Sequence, residues 1–144
     1  MAAGFYQLWK QAILIGTGAS ELNTGAGASV IFAEAGYSRN LTTHDFFSDL
    51  SNTHGDGGTA RANSEVLASP TYTLGTFDAA DTVFASVNTA GVNVTQMIIF
   101  VNDSSADATS YLVANYDTAT GIPFSTSSGA QVTIAWNASG IFAL

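Results

Sequence analysis

The chain has 144 residues, 47% of them apolar and only 10% charged, with a formal net charge of −8. That length suits one domain with a real core, and the supply of aromatic and β-branched residues excludes a disordered chain. Eleven acids against three bases (Lys10, Arg39 and Arg61) exclude phosphate backbones and anionic lipid surfaces as expected partners, and the lack of Cys excludes disulfide and thiolate chemistry.

Phe5, Leu8, Trp9, Ala12 and Ile13 recur at helical spacing, with Gln7, Lys10 and Gln11 on the other side. They predict an amphipathic helix over residues 1–16, with Gly16 and Gly18 as stop signals. The segment is too short to cross a membrane. Lys10 lies inside it and two glutamines interrupt its apolar run, so it does not read as a signal peptide, and a chain made in a cytoplasm is expected. After a small-residue loop, ASVIFAEA predicts a short strand. LTTHDFFSDLSN predicts a single helical turn, with Thr42 or Thr43 as N-cap and Asp45 in the first turn. NTHGDGGTA is an exposed loop by its glycines.

From Arg61 the period becomes two. Strands are expected over Arg61–Ala68, over Thr71–Thr76, and over Thr82–Val87 with Val83, Ala85 and Val87 on one face. Val94–Val101, with MIIFV at its centre, reads as a strand buried on both faces. Ser110–Tyr116 and Gln131–Trp136 follow, the latter aiming Val132, Ile134 and Trp136 one way, and Ile141, Phe142 and Leu144 close the chain. The expectation is a single all-β domain over residues 1–144: an N-terminal amphipathic helix at 1–16, then 28–144 mainly β. The strand spacing predicts an antiparallel β-sandwich or barrel of about six to eight short strands.

Motifs for chemistry are sparse. HDFFSDLSNTHGDG gathers His44, Asp45, Asp49, His54 and Asp56, residue types that hold metals or orient a base, but at no spacing such as HExxH. No GxSxG elbow occurs, and the glycines at 16, 18, 25 and 27 lack a P-loop lysine. Asp78/Asp81 and Asp103/Asp107 lack the DxDxDG pattern of a calcium loop and read as solvated turn acids. The sequence therefore points to no enzyme, cofactor, metal or small-molecule substrate. A polar but uncharged surface favours an interface protein, because burying hydroxyls and amides costs less than burying unpaired charge.

YDTATGIPFSTSSGAQVTIAW joins two strand candidates through Gly121 and Pro123. It reads as a hairpin connection, with Asp117 capping the turn through its side chain.

Within MIIFVNDSSADATSYLVANYDTATGIPFSTSSGAQVTIAWNASGIFAL, an apolar strand ends in a polar turn. A second strand leads into a Tyr/Asp turn closed by Thr-Gly-Ile-Pro, a third ends in Trp, and I-F-x-L follows. In this the chain resembles a family of small structural proteins of tailed bacteriophages. The N-terminal helix, HDFFSDL and Arg61-Ala62 are compatible with that likeness. It departs in the place of Asp117, directly after Tyr116, and in the glycine-rich loop around His54. The resemblance implies a virion component located on the head. The first choice is a capsid decoration (cement) protein, a homotrimer that binds the major capsid protein and stabilises its shell. A tail, neck or fibre-associated component is the alternative, and a carbohydrate-binding β-sandwich module with Trp136 exposed is the alternative of another class. Candidate partner contacts are Phe5, Tyr6 and Trp9 from the helix, with Phe142 and Leu144.

Overall fold

The structure is a computed structural model that describes residues 3–16, 22–23, 27–103 and 106–144. It is mostly β, with antiparallel sheets and one short helix. The strands are β1 (Ala3–Phe5), β2 (Ala28–Glu34), β3 (Thr53–His54), β4 (Glu65–Val66), β5 (Thr71–Thr73) and β6 (Thr76–Asp78). They continue with β7 (Thr82–Val87), β8 (Val94–Val101), β9 (Leu112–Tyr116), β10 (Ala130–Ile134) and β11 (Phe142–Ala143); helix α1 spans Gln7–Ile15.

The main sheet runs β1-β9-β8-β2, with β3 and β4 set end to end along the far edge of β2. β2 and β8 occupy its middle because their runs VIFA and MIIFV are apolar at every position and can bury both faces. Val30, Phe32, Met97, Ile99 and Val101 enter one core, while Ile31, Ala33, Ile98 and Phe100 enter a second on the opposite face. At about 1.5–3 kcal/mol per fully buried large apolar side chain, Met97 to Val101 alone contribute on the order of 10 kcal/mol.

The first core is closed by α1, by the β7–β10 ribbon and by a small sheet ordered β11-β6-β5; Trp9, Phe77, Phe84, Val87, Trp136 and Phe142 meet there. The second is closed by the segment after β2, which lays Tyr37 and Phe47 on the sheet with Leu41 and Leu50 at the margin.

Several expected elements differ. The helix starts at Gln7, and Phe5 belongs to β1, where it pairs with Ala114. Tyr6 continues that pairing by donating its N–H to the Val113 carbonyl. The helical spacing of Phe5 is thus overridden by a free place on the sheet edge. Gly16 does end α1, with φ 70° and its N–H on the Ala12 and Ile13 carbonyls; Gly18 lies outside the described residues. Residues 61–68 form a 3₁₀ turn (Arg61–Asn63) and then β4, not one strand. The expected strand over Thr71–Thr76 is a hairpin, because Leu74 and Gly75 take φ of 51° and 80° and reverse the chain between β5 and β6.

The helical turn near His44 is the 3₁₀ turn Phe47–Asp49. Thr42 and Thr43 do not cap it; both give their N–H to Asn40 Oδ1, while Asp49 reaches back to the N–H groups of Asp45 and Phe46. In β7 it is Thr82 and Phe84 that face inward, with Val83 and Ala85 outside. Three steps of β7 (Val87 to Phe84) match two of β10 (Ala130 to Val132), and this bulge turns Val87 back into the core. Asp56 Oδ1 stabilises the bulge by accepting the Ser86 N–H at 2.7 Å.

The YDTATGIPF loop is not a hairpin connection. β9 pairs with β8 and β1, and β10 pairs with β7, so the loop carries the chain from one sheet to another. On the way Phe124 bridges Val94 through two backbone hydrogen bonds of 2.7 and 3.2 Å and sets its ring edge-on to Phe32. The Asp117 carboxylate forms an ion pair with Arg39 at 2.8 Å.

Candidate functional site

The polar residues that the sequence marked for chemistry are divided between the two faces of the main sheet. His54 stands opposite Phe32 in the β2–β3 register, which puts its ring on the side of the first core. Its Nε2 meets Glu34 Oε1 at 3.1 Å, and its Nδ1 is buried with no hydrogen-bond partner among the described residues. His44 belongs to the other face, where its Nδ1 meets the Tyr37 hydroxyl at 2.9 Å. Asp49 caps the 3₁₀ turn and Asp56 holds the β7 bulge. His44, His54, Asp49 and Asp56 therefore do not converge, and among the described residues no three His, Asp or Glu side chains are placed to hold a metal.

His44 begins a network under the second core. Tyr37 passes the contact to the Tyr6 hydroxyl at 3.1 Å. Asn115 donates to Gln96 Oε1 at 2.9 Å, Gln96 donates to the Tyr37 carbonyl at 2.8 Å, and Arg39 donates to Asn115 Oδ1 at 3.1 Å. Burial pushes the Tyr6 and Tyr37 phenols above their ordinary range, and for Tyr37 the adjacent Tyr6 adds to the rise. Both stay neutral donors and acceptors at physiological pH. With every member paired, the network fixes the 35–52 segment on the sheet.

The remaining acids serve locally. Asp107 pairs with Arg61 at 2.6 Å, and Arg61 also bonds Asn102. Asp81 accepts the Trp136 N–H at 3.0 Å. The Trp136 ring is buried and donates its indole N–H to Thr82 Oγ1, so it offers no open face for a sugar. A cleft of about 720 Å³ lies between the 119–126 loop and β10, with Ile122, Phe124, Val132 and Ile134 among its walls; among the described residues no charged side chain lines it.

Four of the five candidate contact residues are drawn inward. Tyr6 and Trp9 are wholly buried, Phe142 nearly so, and Phe5 is half-buried. Phe5, Trp9 and Phe142 touch one another with ring centroids 5.2 to 6.0 Å apart, and Phe77 packs on Phe142 at 5.1 Å. They anchor α1 and β11 to the first core, so their aromatic surface is spent inside the chain. Leu144 is the exception, 70% exposed.

Leu144 belongs to one of the exposed apolar patches; Leu14 and Ile15 at the end of α1 are exposed as well. The Leu144 N–H bonds the Gly75 carbonyl at 3.0 Å, which holds Leu144 beside the β5–β6 turn. Leu74 at the tip of that turn is fully exposed, and Tyr72 on β5 is half exposed. The Tyr72 ring leans on Phe77 at 5.5 Å, which ties the patch to the core beneath. Tyr72 and Leu74 were not singled out from the sequence. The available signal was the Leu-Gly step in TYTLGTF, which places a large apolar side chain on a turn where packing does not need it.

Comparison with protein-family models, curated proteins and solved structures finds no match to this chain.

Proposed function

We propose that this chain is a structural protein of a tailed-bacteriophage virion, a decoration protein on the outer face of the head that binds the major capsid protein and copies of itself. The observation that carries the proposal is the patch of Tyr72, Leu74 and Leu144, three apolar side chains held in the open on one small sheet. A protein whose work is packing needs apolar surface outside its core, and segments 69–77 and 137–144, which carry no charged side chain, can be buried without stranding one. The sequence resemblance supplies the kind of assembly. The strands, read as a sandwich with α1 sealed against one layer, supply a stiff body. On a head such a body bridges neighbouring capsid subunits and resists the outward pressure of packaged DNA by adding interface area.

The test is co-sedimentation of the recombinant protein with heads assembled without it, followed by the temperature at which those heads rupture. The expected result is saturable binding in stoichiometric, many-copy amounts and a higher rupture temperature. Leu74→Lys with Leu144→Lys should reduce binding by about tenfold or more, since each leucine loses the transfer energy of burial. Failure to bind heads, together with absence of the chain from purified particles, would overturn the proposal. Recovery in about a dozen copies at one vertex would move the protein to the neck or tail.

A further inference from the structure

Among the described residues β5 is an edge strand: in the small sheet β11-β6-β5 it pairs with β6 alone. The direction of its backbone groups follows from the hairpin. Thr73 and Thr76 flank the two-residue turn and form its hydrogen-bonded pair, so the next pair, Tyr72 with Phe77, is not hydrogen-bonded across β5–β6. The far side of β6 agrees, because the Phe77 carbonyl is turned away from β5 and accepts the Ile141 N–H at 2.8 Å. By the same alternation the Tyr72 N–H and C=O point outward, at the centre of an edge with no strand of the described residues beside it.

The charge distribution indicates what fits there. None of the eleven acids or three bases falls within residues 69–77 or 137–144; Asp78, next in sequence, ends β6 and pairs with Thr71 of β5. Two copies that meet through these segments still repel through their net charge of −8 each, but they bury no charged side chain of residues 69–77 or 137–144 where they touch.

We propose that this edge is a self-association site, in which β5 of a second copy lies antiparallel to β5 about a two-fold axis through Tyr72. The two Tyr72 residues exchange a pair of backbone hydrogen bonds, and Leu74 and Leu144 of each copy cover the flanks. Pro70 has no N–H, which limits the added ladder to the neighbourhood of Tyr72. The contact is small and therefore weak in free solution. It gains strength where a surface already holds copies side by side. This rests on the packing role proposed above and assigns the contact between copies to the β5 edge.

The chain has no cysteine, so Tyr72→Cys gives each molecule a single thiol and a disulfide forms only between copies. Directly opposed, hydrogen-bonded residues of an antiparallel pair have Cα atoms about 5.5 Å apart, inside the range a disulfide spans. The experiment compares oxidative dimer formation by Tyr72→Cys with that by Thr133→Cys on exposed β10, each with and without Leu74→Asn. Asn is at home in the left-handed conformation that Leu74 adopts, and Asn-Gly favours this turn, so the second change keeps the hairpin while removing the apolar flank.

The expected result is that the residue-72 thiol dimerises at least about tenfold faster than the residue-133 thiol, and that Leu74→Asn removes most of the difference with the circular dichroism spectrum unchanged. Equal rates at the two positions, indifference to Leu74→Asn, or a trimer by light scattering at about 1 mM would each overturn the two-fold contact. The readout uses the purified chain alone. Pairing without head binding would therefore count against the virion role only, and head binding without pairing against this inference only.

Discussion

Trp9→Ala separates a helix that belongs to its own core from one that waits for a partner. Trp9 has no exposed surface and sits between Phe5 and Phe142, with centroids at 6.0 and 5.8 Å. A tryptophan buries roughly 200 Å², and at about 25 cal/mol/Å² its removal costs about 5 kcal/mol before relaxation. Partial relaxation of the Phe5 and Phe142 rings into the space left offsets part of this, so a loss of about 3–5 kcal/mol is expected. For a chain of this size that is about a third of the whole stability. With a slope near 2 kcal/mol/M the urea midpoint should fall by about 1.5–2.5 M, and the melting temperature by about 8–15 °C. Equilibrium urea denaturation followed by near-ultraviolet circular dichroism measures it. A change below about 1 kcal/mol, with the protein still folded, would show that α1 is not locked in the core and would refute the burial argument.

Asn115→Ala should cost about 1–3 kcal/mol in the same assay, because it strands the buried Gln96 carbonyl and releases Arg39. Burial raises the Glu65 carboxyl above its ordinary value of 4.5, and neighbouring Asp56 raises it further. A raised folded-state value means that this group's contribution is complete below pH 4.5 and is lost as the pH climbs through the raised value. Glu65→Gln, which stays neutral, should therefore melt higher than the parent at pH 7, with the gap closing toward pH 4; a gap independent of pH would refute this. Leu74→Asn should leave the monomer unchanged or raise its stability by about 0.5 kcal/mol, since Leu at φ 51° is strained and Asn is less so.

The parts of this protein legible in sequence are those where local pattern and burial agree. MIIFV is apolar at every position, and only a strand in the middle of a sheet with cores on both sides can bury it. Gly16 ended the helix as its residue type implied. The strand at Thr82–Val87 was recognisable, but its inward face was not, because a bulge held by Asp56, some thirty residues earlier, resets the alternation.

Strand pairing was the larger gap. Alternation in Ser110–Tyr116 and Gln131–Trp136 establishes two strands and says nothing about which neighbours they take, since backbone hydrogen bonds are the same for every residue. The structure sends them to different sheets, and a reading as a hairpin follows whenever adjacency in sequence is taken for adjacency in space. The aromatic residues illustrate the same limit. The apolar stripe through Trp9 is a property of the sequence, but whether it meets Phe142 of the same chain or the surface of another is a tertiary matter. The sequence by itself determined an acidic, cysteine-free, mostly β chain with a short amphipathic helix. Only the tertiary structure decided that Tyr6, Trp9 and Phe142 are interior, and that Tyr72, Leu74 and Leu144 are left outside, because exposure depends on what the rest of the chain covers.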